Sequence, residues 1–238
     1  MMGTPVGVVG DDALADVLRD AGVAVERGSD GAVPNTDRVV AVGEDAVAAV
    51  ARAESDPLVL PVAAGRGVRS VPRNDAVAAV SGVADARVET HPVLHVTMPD
   101  GTVEQAFWDV TLVTADAARI SEFTIASTSD RIGQFRADGV VIATAAGSPG
   151  YAHRVGGPIL APSEQAVVAP IAPFATDPDH WVLPADGLNV LIERDEATVE
   201  LLVDDRISRP VSYQERITIS LGSPVRTAVV DESRSRFE

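Results

Sequence analysis

The sequence predicts a two-part fold, an α/β domain built on a parallel sheet followed by a β-sandwich domain. Three observations carry this prediction. Over residues 1–86, short Val-rich runs alternate with Ala-rich stretches of helical length, the pattern that packs helices on parallel strands. From about residue 87 the apolar runs succeed one another with only turn signals between them, among them Pro99–Asp100–Gly101 and Ser127–Asp130. A chain of 238 residues with 46% hydrophobic content and no low-complexity block is long enough for a proper core, and with 4% aromatics Val, Ala, Leu and Ile must build it.

In the first part, Val6–Val9 reads as a buried strand closing on Gly10, and the pair Asp11–Asp12 caps a helix over Ala13–Ala21 that Gly22 stops. Val23–Val25 and Val39–Val42 are the next strands. Gly43–Glu44–Asp45 then leads into a helix over Ala46–Ala53, Leu58–Val62 is a fourth strand, and Asp75–Val80 a further helix. The arrangement is Rossmann-like. In the second part, Val93–Met98, Thr102–Val113, Ile120–Ala126, Ile132–Phe135, Val140–Thr144, Ala166–Ile171, Gly187–Ile192, Thr198–Val203 and Arg216–Leu221 read as strands. One short helix is expected at Tyr151–Val155, entered from a Gly/Ser/Pro loop. The domains are expected at 1–86 and 87–230, with a loose polar tail at 231–238.

Charge narrows the function classes. Asp and Glu number 35 against 19 basic residues, all of them arginine, for a formal net charge of −16. Such an acidic, lysine-free surface resembles proteins adapted to very high internal salt, where repulsion is screened within about 3 Å at roughly 1 M. An acidic partner-binding surface is the alternative, although the acids are spread along the chain. No Lys/Arg cluster supplies the footprint that nucleic acid requires. The chain has no cysteine, which removes disulfides and thiolate metal sites. No run approaches the roughly 18 apolar residues of a membrane span, and residues 1–12 lack a basic region followed by an apolar stretch, so a soluble cytoplasmic protein is expected.

Three loops are candidates for chemistry. Gly43–Glu44–Asp45–Ala46 lies at the carboxyl end of a parallel strand and the start of a helix, where open α/β sheets bind ligands and free N–H groups meet anions. Asp45 there either serves as a base or magnesium ligand, or joins Glu44 in capping the helix. Gly147–Ser148–Pro149–Gly150 and Gly156–Gly157–Pro158 flank one turn of helix with small residues that admit close backbone approach, or form an ordinary loop. Gly65–Arg66–Gly67, with Arg69 and Arg73 nearby, would hold phosphate through arginine or stand as a solvated loop. Of the histidines, His91 and His95 are four apart in a strand-like segment with no acid cluster to complete a site, so no metal ligands are predicted.

The string DGVVIATAAGSPGYAHRVGGP, Asp138–Pro158, resembles the signature of the NAD kinase family, approximately D-G-hydrophobic-T-P-T-G-S-T-A-Y followed by G-G-P. Asp138, Gly139, Thr144, Gly147, Ser148, Tyr151, Gly156, Gly157 and Pro158 match it. Further likenesses fall in order: DRVVAVGEDAV (37–47) to the strand ending G-G-D-G-T, LVLPVAAGRGV (58–68) to the next strand and loop, and AFWDVTL (106–112) to A-L-N-E/D-V-V-I. APIAP (169–173) resembles T-P-I-C-P, WVLP (181–184) its L-V-L-P end, and LVDDR (202–206) the V-D-G-Q segment. The resemblance spans residues 37–221.

It implies an α/β domain joined to a β-sandwich domain, the NAD kinase-like fold. It also implies transfer of a phosphoryl group from ATP or polyphosphate, with Mg²⁺, to the adenosine 2′-hydroxyl of NAD. By resemblance Asp45 is the residue activating that hydroxyl. Gly43, Asp109, Asp138, Thr144, Ser148, Gly150, Tyr151 and Arg154 are the implied cofactor-binding set. Asp109 would hold ribose hydroxyls, Asp138 the nicotinamide end, Tyr151 and its preceding loop the dinucleotide, and Arg154 or Arg66 phosphate. Family members commonly form dimers or tetramers, so a homo-oligomer is expected. The chain departs from the pattern at Glu44, Ala46, Ala63, Trp108, Pro149 and Arg154. An alternative implied function is therefore a catalytically degenerate NAD(P)-binding paralogue, acting as a sensor or partner subunit.

Overall fold

The computed structural model describes residues 4–28, 32–53, 55–116, 119–194 and 197–237. The chain forms two compact units, Met1–His91 with Pro224–Glu238, and Pro92–Ser223. The first unit begins with β1 (Val6–Val9), α1 (Asp12–Asp20), β2 (Val25–Arg27) and β3 (Arg38–Val42). It continues through α2 (Glu44–Ala51), β4 (Leu58–Val62), α3 (Ala76–Gly82) and β5 (Arg87–His91). In the second unit, β6 (Leu94–Thr97), β7 (Val103–Ala106), β8 (Asp109–Thr114), β9 (Ser121–Ala126), β10 (Arg131–Ala137) and β11 (Gly139–Ala143) precede the single-turn α4 (Tyr151–Arg154). There follow β12 (Gln165–Ile171), β13 (Trp181–Pro184), β14 (Leu188–Ile192), β15 (Val199–Val203), β16 (Arg206–Val211) and β17 (Arg216–Leu221). Then β18 (Val225–Val229) returns to the first unit.

The first unit holds one sheet of order β2-β1-β3-β4-β18-β5, parallel except for β5, which runs antiparallel to β18. The helix starts obey local rules. The Asp11 side chain accepts from the Leu14 N–H at 2.8 Å, satisfying a donor that the first helical turn leaves without a partner. Leu14, Ala15 and Leu18 then fall on one face of α1 and pack with Val8, Val40 and Leu60.

The second unit is a sandwich of two antiparallel six-stranded sheets, β10-β9-β14-β17-β6-β7 and β13-β12-β11-β8-β15-β16. Alternate residues of both sheets meet in one core, including Leu94, Phe123, Ile125, Leu112, Ile142 and Leu201. β11 is buried along its whole length. The reason lies on its other face, where Val141 and Ala143 pack beneath Ala152 of α4, with Val155 and Leu160 beside it. The run Val140–Ala143 is continuous rather than alternating because both faces are covered.

Three expectations are corrected. Residues 102–113 do not form one strand. The chain breaks between β7 and β8 at Phe107–Trp108, whose backbone groups bond to the Asp204 carboxylate and to Thr144 in place of a neighbouring strand. The boundary between units lies at His91/Pro92 rather than after residue 86, and residues 224–238 belong to the first unit. The segment expected as a loose tail is anchored: the Arg234 N–H donates to the Ser70 carbonyl at 3.0 Å, and Arg236 is only 2% exposed. Burial of one side chain and a backbone bond to a distant loop hold it, and hydropathy alone registers neither. Glu238 lies outside the described residues.

Candidate functional site

In the first unit, β3 ends at Val42 and Gly43 turns the chain into α2 with φ 87° and ψ 166°, a left-handed φ that a side chain resists. The Gly43 N–H is tied to the Val62 carbonyl at 2.9 Å, which seats the turn against β4. Glu44 and Asp45 occupy the first turn of α2, and the N-cap is Gly43, with no side-chain capping bond. Capping by either acid is therefore not what the structure shows. Asp45 is exposed and, among the described residues, its carboxylate has no hydrogen bond or ion pair. The adjacent Ala46 is 3% exposed and turned into the core, so its methyl does not crowd the loop surface. Glu44 extends over the next loop, where a Cβ at Gly65 would collide with its carboxylate. Arg66, on that loop, lines a cavity of about 360 Å³ together with Ala63, Ser70 and Arg234.

In the second unit, the signature wraps the start of β8. Register places Asp109 opposite Ala143 and Val113 opposite Gly139, so the segment leaving β11 passes beside Phe107–Asp109. Thr144 and Ser148, both expected to bind cofactor, are 0% exposed. The Thr144 hydroxyl donates to the Phe107 carbonyl at 2.7 Å and accepts from the Gly147 N–H at 3.0 Å. The Ser148 hydroxyl donates to the Ala145 carbonyl and accepts from the Leu160 N–H, both at 2.9 Å. Their work is internal, and they present no surface to a ligand. The same closeness explains Gly147: a Cβ there would run into the carbonyl of Trp108.

Asp109 is 7% exposed and accepts from the Thr111 hydroxyl at 3.2 Å. Asp138 is half-buried, its N–H bound to the Ile171 carbonyl and its own carbonyl accepting from the Thr114 N–H. Tyr151 opens α4 and is 36% exposed. Burial raises the pKa of its hydroxyl, and the negative fields of Asp109, Asp138 and Asp205 raise it further. The hydroxyl is thus held as a neutral donor. That shared field shows which predicted residues the fold gathers, Asp109, Asp138 and Tyr151, and adds Asp205, which sequence reasoning passed over. Gly150 precedes α4 and is exposed, as is Arg154 in its last turn.

Two histidines hold the Gly156–Gly157 turn: His153 Nδ1 lies 3.0 Å from the Gly157 carbonyl and His180 Nε2 3.0 Å from the Val155 carbonyl. Sequence reading also missed Asp204, whose carboxylate takes the backbone N–H groups of Phe107 and Trp108. The signal available for it was an Asp-Asp pair between two apolar runs, a hairpin-turn cue. Among the described residues no group of three or more His, Cys, Asp or Glu is placed to hold a metal ion.

Comparison with known proteins places these features. The ATP-NAD kinase C-terminal domain family matches residues 109–230. The NAD kinase of Chlorobium limicola is 30% identical over 70% of this chain and 60% of its own length. That of Methanosarcina acetivorans is 34% identical over 74% of this chain and 65% of its own. The chain therefore spans less than two-thirds of either relative. Among solved structures, the Archaeoglobus fulgidus NAD kinase in complex with ATP superposes with a TM-score of 0.79, covering 98% of this chain and 95% of that one at 23% identity. Yeast NADH kinase complexed with NADH gives 0.80 over 96% and 84% at 17% identity. At those identities the likeness establishes the fold, and with the family match over half the sequence this chain belongs to the NAD kinase family.

Proposed function

We propose that the protein is an NAD kinase, transferring the terminal phosphoryl group of ATP, or of polyphosphate, to the adenosine 2′-hydroxyl of NAD to give NADP. The observation that carries this reading is Asp45: an exposed carboxylate without a partner among the described residues, fixed at the carboxyl end of a parallel strand by the Gly43 turn. Phosphoryl transfer asks mainly for positioning and charge neutralisation. In this reading Asp45 accepts the hydrogen bond of the 2′-hydroxyl. The hydroxyl oxygen bonds to the γ-phosphorus, the bond from that phosphorus to the β–γ bridging oxygen breaks, ADP leaves, and the proton passes to Asp45 and on to solvent.

Asp109 is assigned to ribose hydroxyls, Asp138 to the nicotinamide end, Tyr151 to the dinucleotide as a neutral donor, and Gly43, Gly150 and Arg154 to close approach and phosphate. Thr144 and Ser148 shape the loop from inside. Magnesium, when bound, would supply charge neutralisation on the phosphates. Such an ion needs only one or two carboxylates beside phosphate and water oxygens, and Asp45, with Glu44 beside it in the first turn of α2, would hold it.

Ala46 bears on the degenerate-binder alternative, because its methyl is in the core and leaves the loop surface open. The acidic, lysine-free composition supports a protein working in concentrated salt inside the cell, and the family habit supports a homo-oligomer.

The test is to incubate the protein with NAD, magnesium and ATP labelled at the γ-phosphate, at about 0.1 M and about 2 M KCl. Label in NADP, formed faster at the higher salt, is the expected result. Label released only as inorganic phosphate would overturn the kinase reading. A polyphosphate arm settles the donor, and light scattering the oligomeric state.

A further inference from the structure

The loop that carries Asp109 is held from below by a side chain to which no role has been given. Asp204 and Asp205 form the two-residue turn between β15 and β16, with Val203 paired to Arg206. Both have positive φ, 49° and 60°, the pattern of a type I′ hairpin turn. Glycine, asparagine and aspartate are the residues that suit such a turn. Asp204 stands there 7% exposed, with its carboxylate folded under the β7–β8 break.

Its Oδ2 accepts from the Phe107 N–H at 3.0 Å, and its Oδ1 from the Trp108 N–H at 2.7 Å and the Asp109 N–H at 3.3 Å. The Asp204 N–H in turn donates to the Asp109 carbonyl at 3.0 Å. On the other side, the Thr144 hydroxyl and N–H take the carbonyls of Phe107 and Trp108. Successive N–H groups converging on one carboxylate make an anion nest, and charge-assisted bonds of this kind are short and strong.

We propose that Asp204 is the positioning residue of the acceptor site, fixing through these N–H groups the direction in which Asp109 meets the dinucleotide. This rests on the assignment of Asp109 to ribose hydroxyls of the dinucleotide. Acceptor binding then depends on Asp204, while the donor and the transfer step do not.

Two variants separate this from simple fold support. Asp204→Gly removes the carboxylate and eases the turn. Asp204→Asn keeps the shape but sets an amide NH₂ against one of the N–H donors. In the full-length protein both are expected to raise the KM for NAD about tenfold, with kcat and the KM for ATP within about twofold. Amide exchange at residues 107–109 should rise at least about tenfold while the rest of the sandwich keeps its protection. An unchanged KM for NAD would overturn the proposal. So would kcat and both KM values worsening together with protection lost across the unit, which marks support of the fold alone. If the unaltered protein makes no NADP, the kinase reading fails by itself. Calorimetric titration with NAD then decides the role of Asp204, since equal affinity in the unaltered and variant proteins, or none in either, overturns it.

Discussion

At the scale of single residues, what matters is which side chains are already committed. Thr144 and Asp45 are opposites in this respect. The Thr144 hydroxyl sits at 0% exposure between the Phe107 carbonyl and the Gly147 N–H, so removing it leaves buried groups without partners. Thr144→Val, nearly equal in volume, is expected to cost about 2 kcal/mol in denaturant unfolding of the second unit. A change within about 0.5 kcal/mol would contradict the clamp. Asp45 is exposed and uncommitted, so its replacement should leave unfolding unaltered and act on turnover alone.

At the scale of elements, the first unit depends on a strand that arrives from the far end of the chain. β18 lies between β4 and β5, and its buried Thr227 hydroxyl meets His91 Nε2 at 3.1 Å. Burial lowers the pKa of His91 to about 4, aided by the positive charge of Arg236 and opposed by Glu89. A histidine with a depressed folded pKa favours the folded state fully above its unfolded value of about 6.5, and that advantage is lost as pH falls toward the folded value. Between pH 6.5 and 4 the unfolded chain binds a proton that the folded chain refuses. A loss on the order of 3 kcal/mol is expected over this window, from 1.36 kcal/mol per unit. His91→Gln should flatten that part of the pH–stability curve, and an identical curve for the variant would contradict it.

The same elements show what the sequence made legible. β1, β3, β4 and the helices between them follow from apolar runs punctuated by Gly and Asp, which are local signals. β18 was missed because VRTAV is short and its partners lie more than 130 residues away in sequence. The break at Phe107–Trp108 was missed because it is set by Asp204, about a hundred residues downstream. Asp109, Asp138 and Tyr151 were picked out as candidates because AFWDVTL and the string 138–158 are each contiguous. The burial of Thr144 and Ser148 was not, since a hydroxyl's direction is decided by packing that spacing does not encode.

At the scale of the whole molecule, the chain's end is part of its first unit. Removing residues 231–238, which reads as trimming a polar tail, takes away the buried Arg236 and the Arg234–Ser70 bond. A loss of about 2 kcal/mol or more is expected, and each 1 kcal/mol corresponds to roughly 2–4 °C in melting temperature for a chain of this size. A truncated protein melting with the full chain would restore the loose-tail view.

In the proposed reaction it is Asp45 that acts on the acceptor hydroxyl. The most direct measurement is the initial rate of NADP formation by the unaltered protein and by Asp45→Asn in concentrated KCl, with NAD affinity measured alongside. The expected result is a rate lower by about 10²–10⁴-fold in the variant, with NAD binding and melting temperature unchanged. Equal rates in the two proteins, or no NADP from the unaltered one, would contradict it.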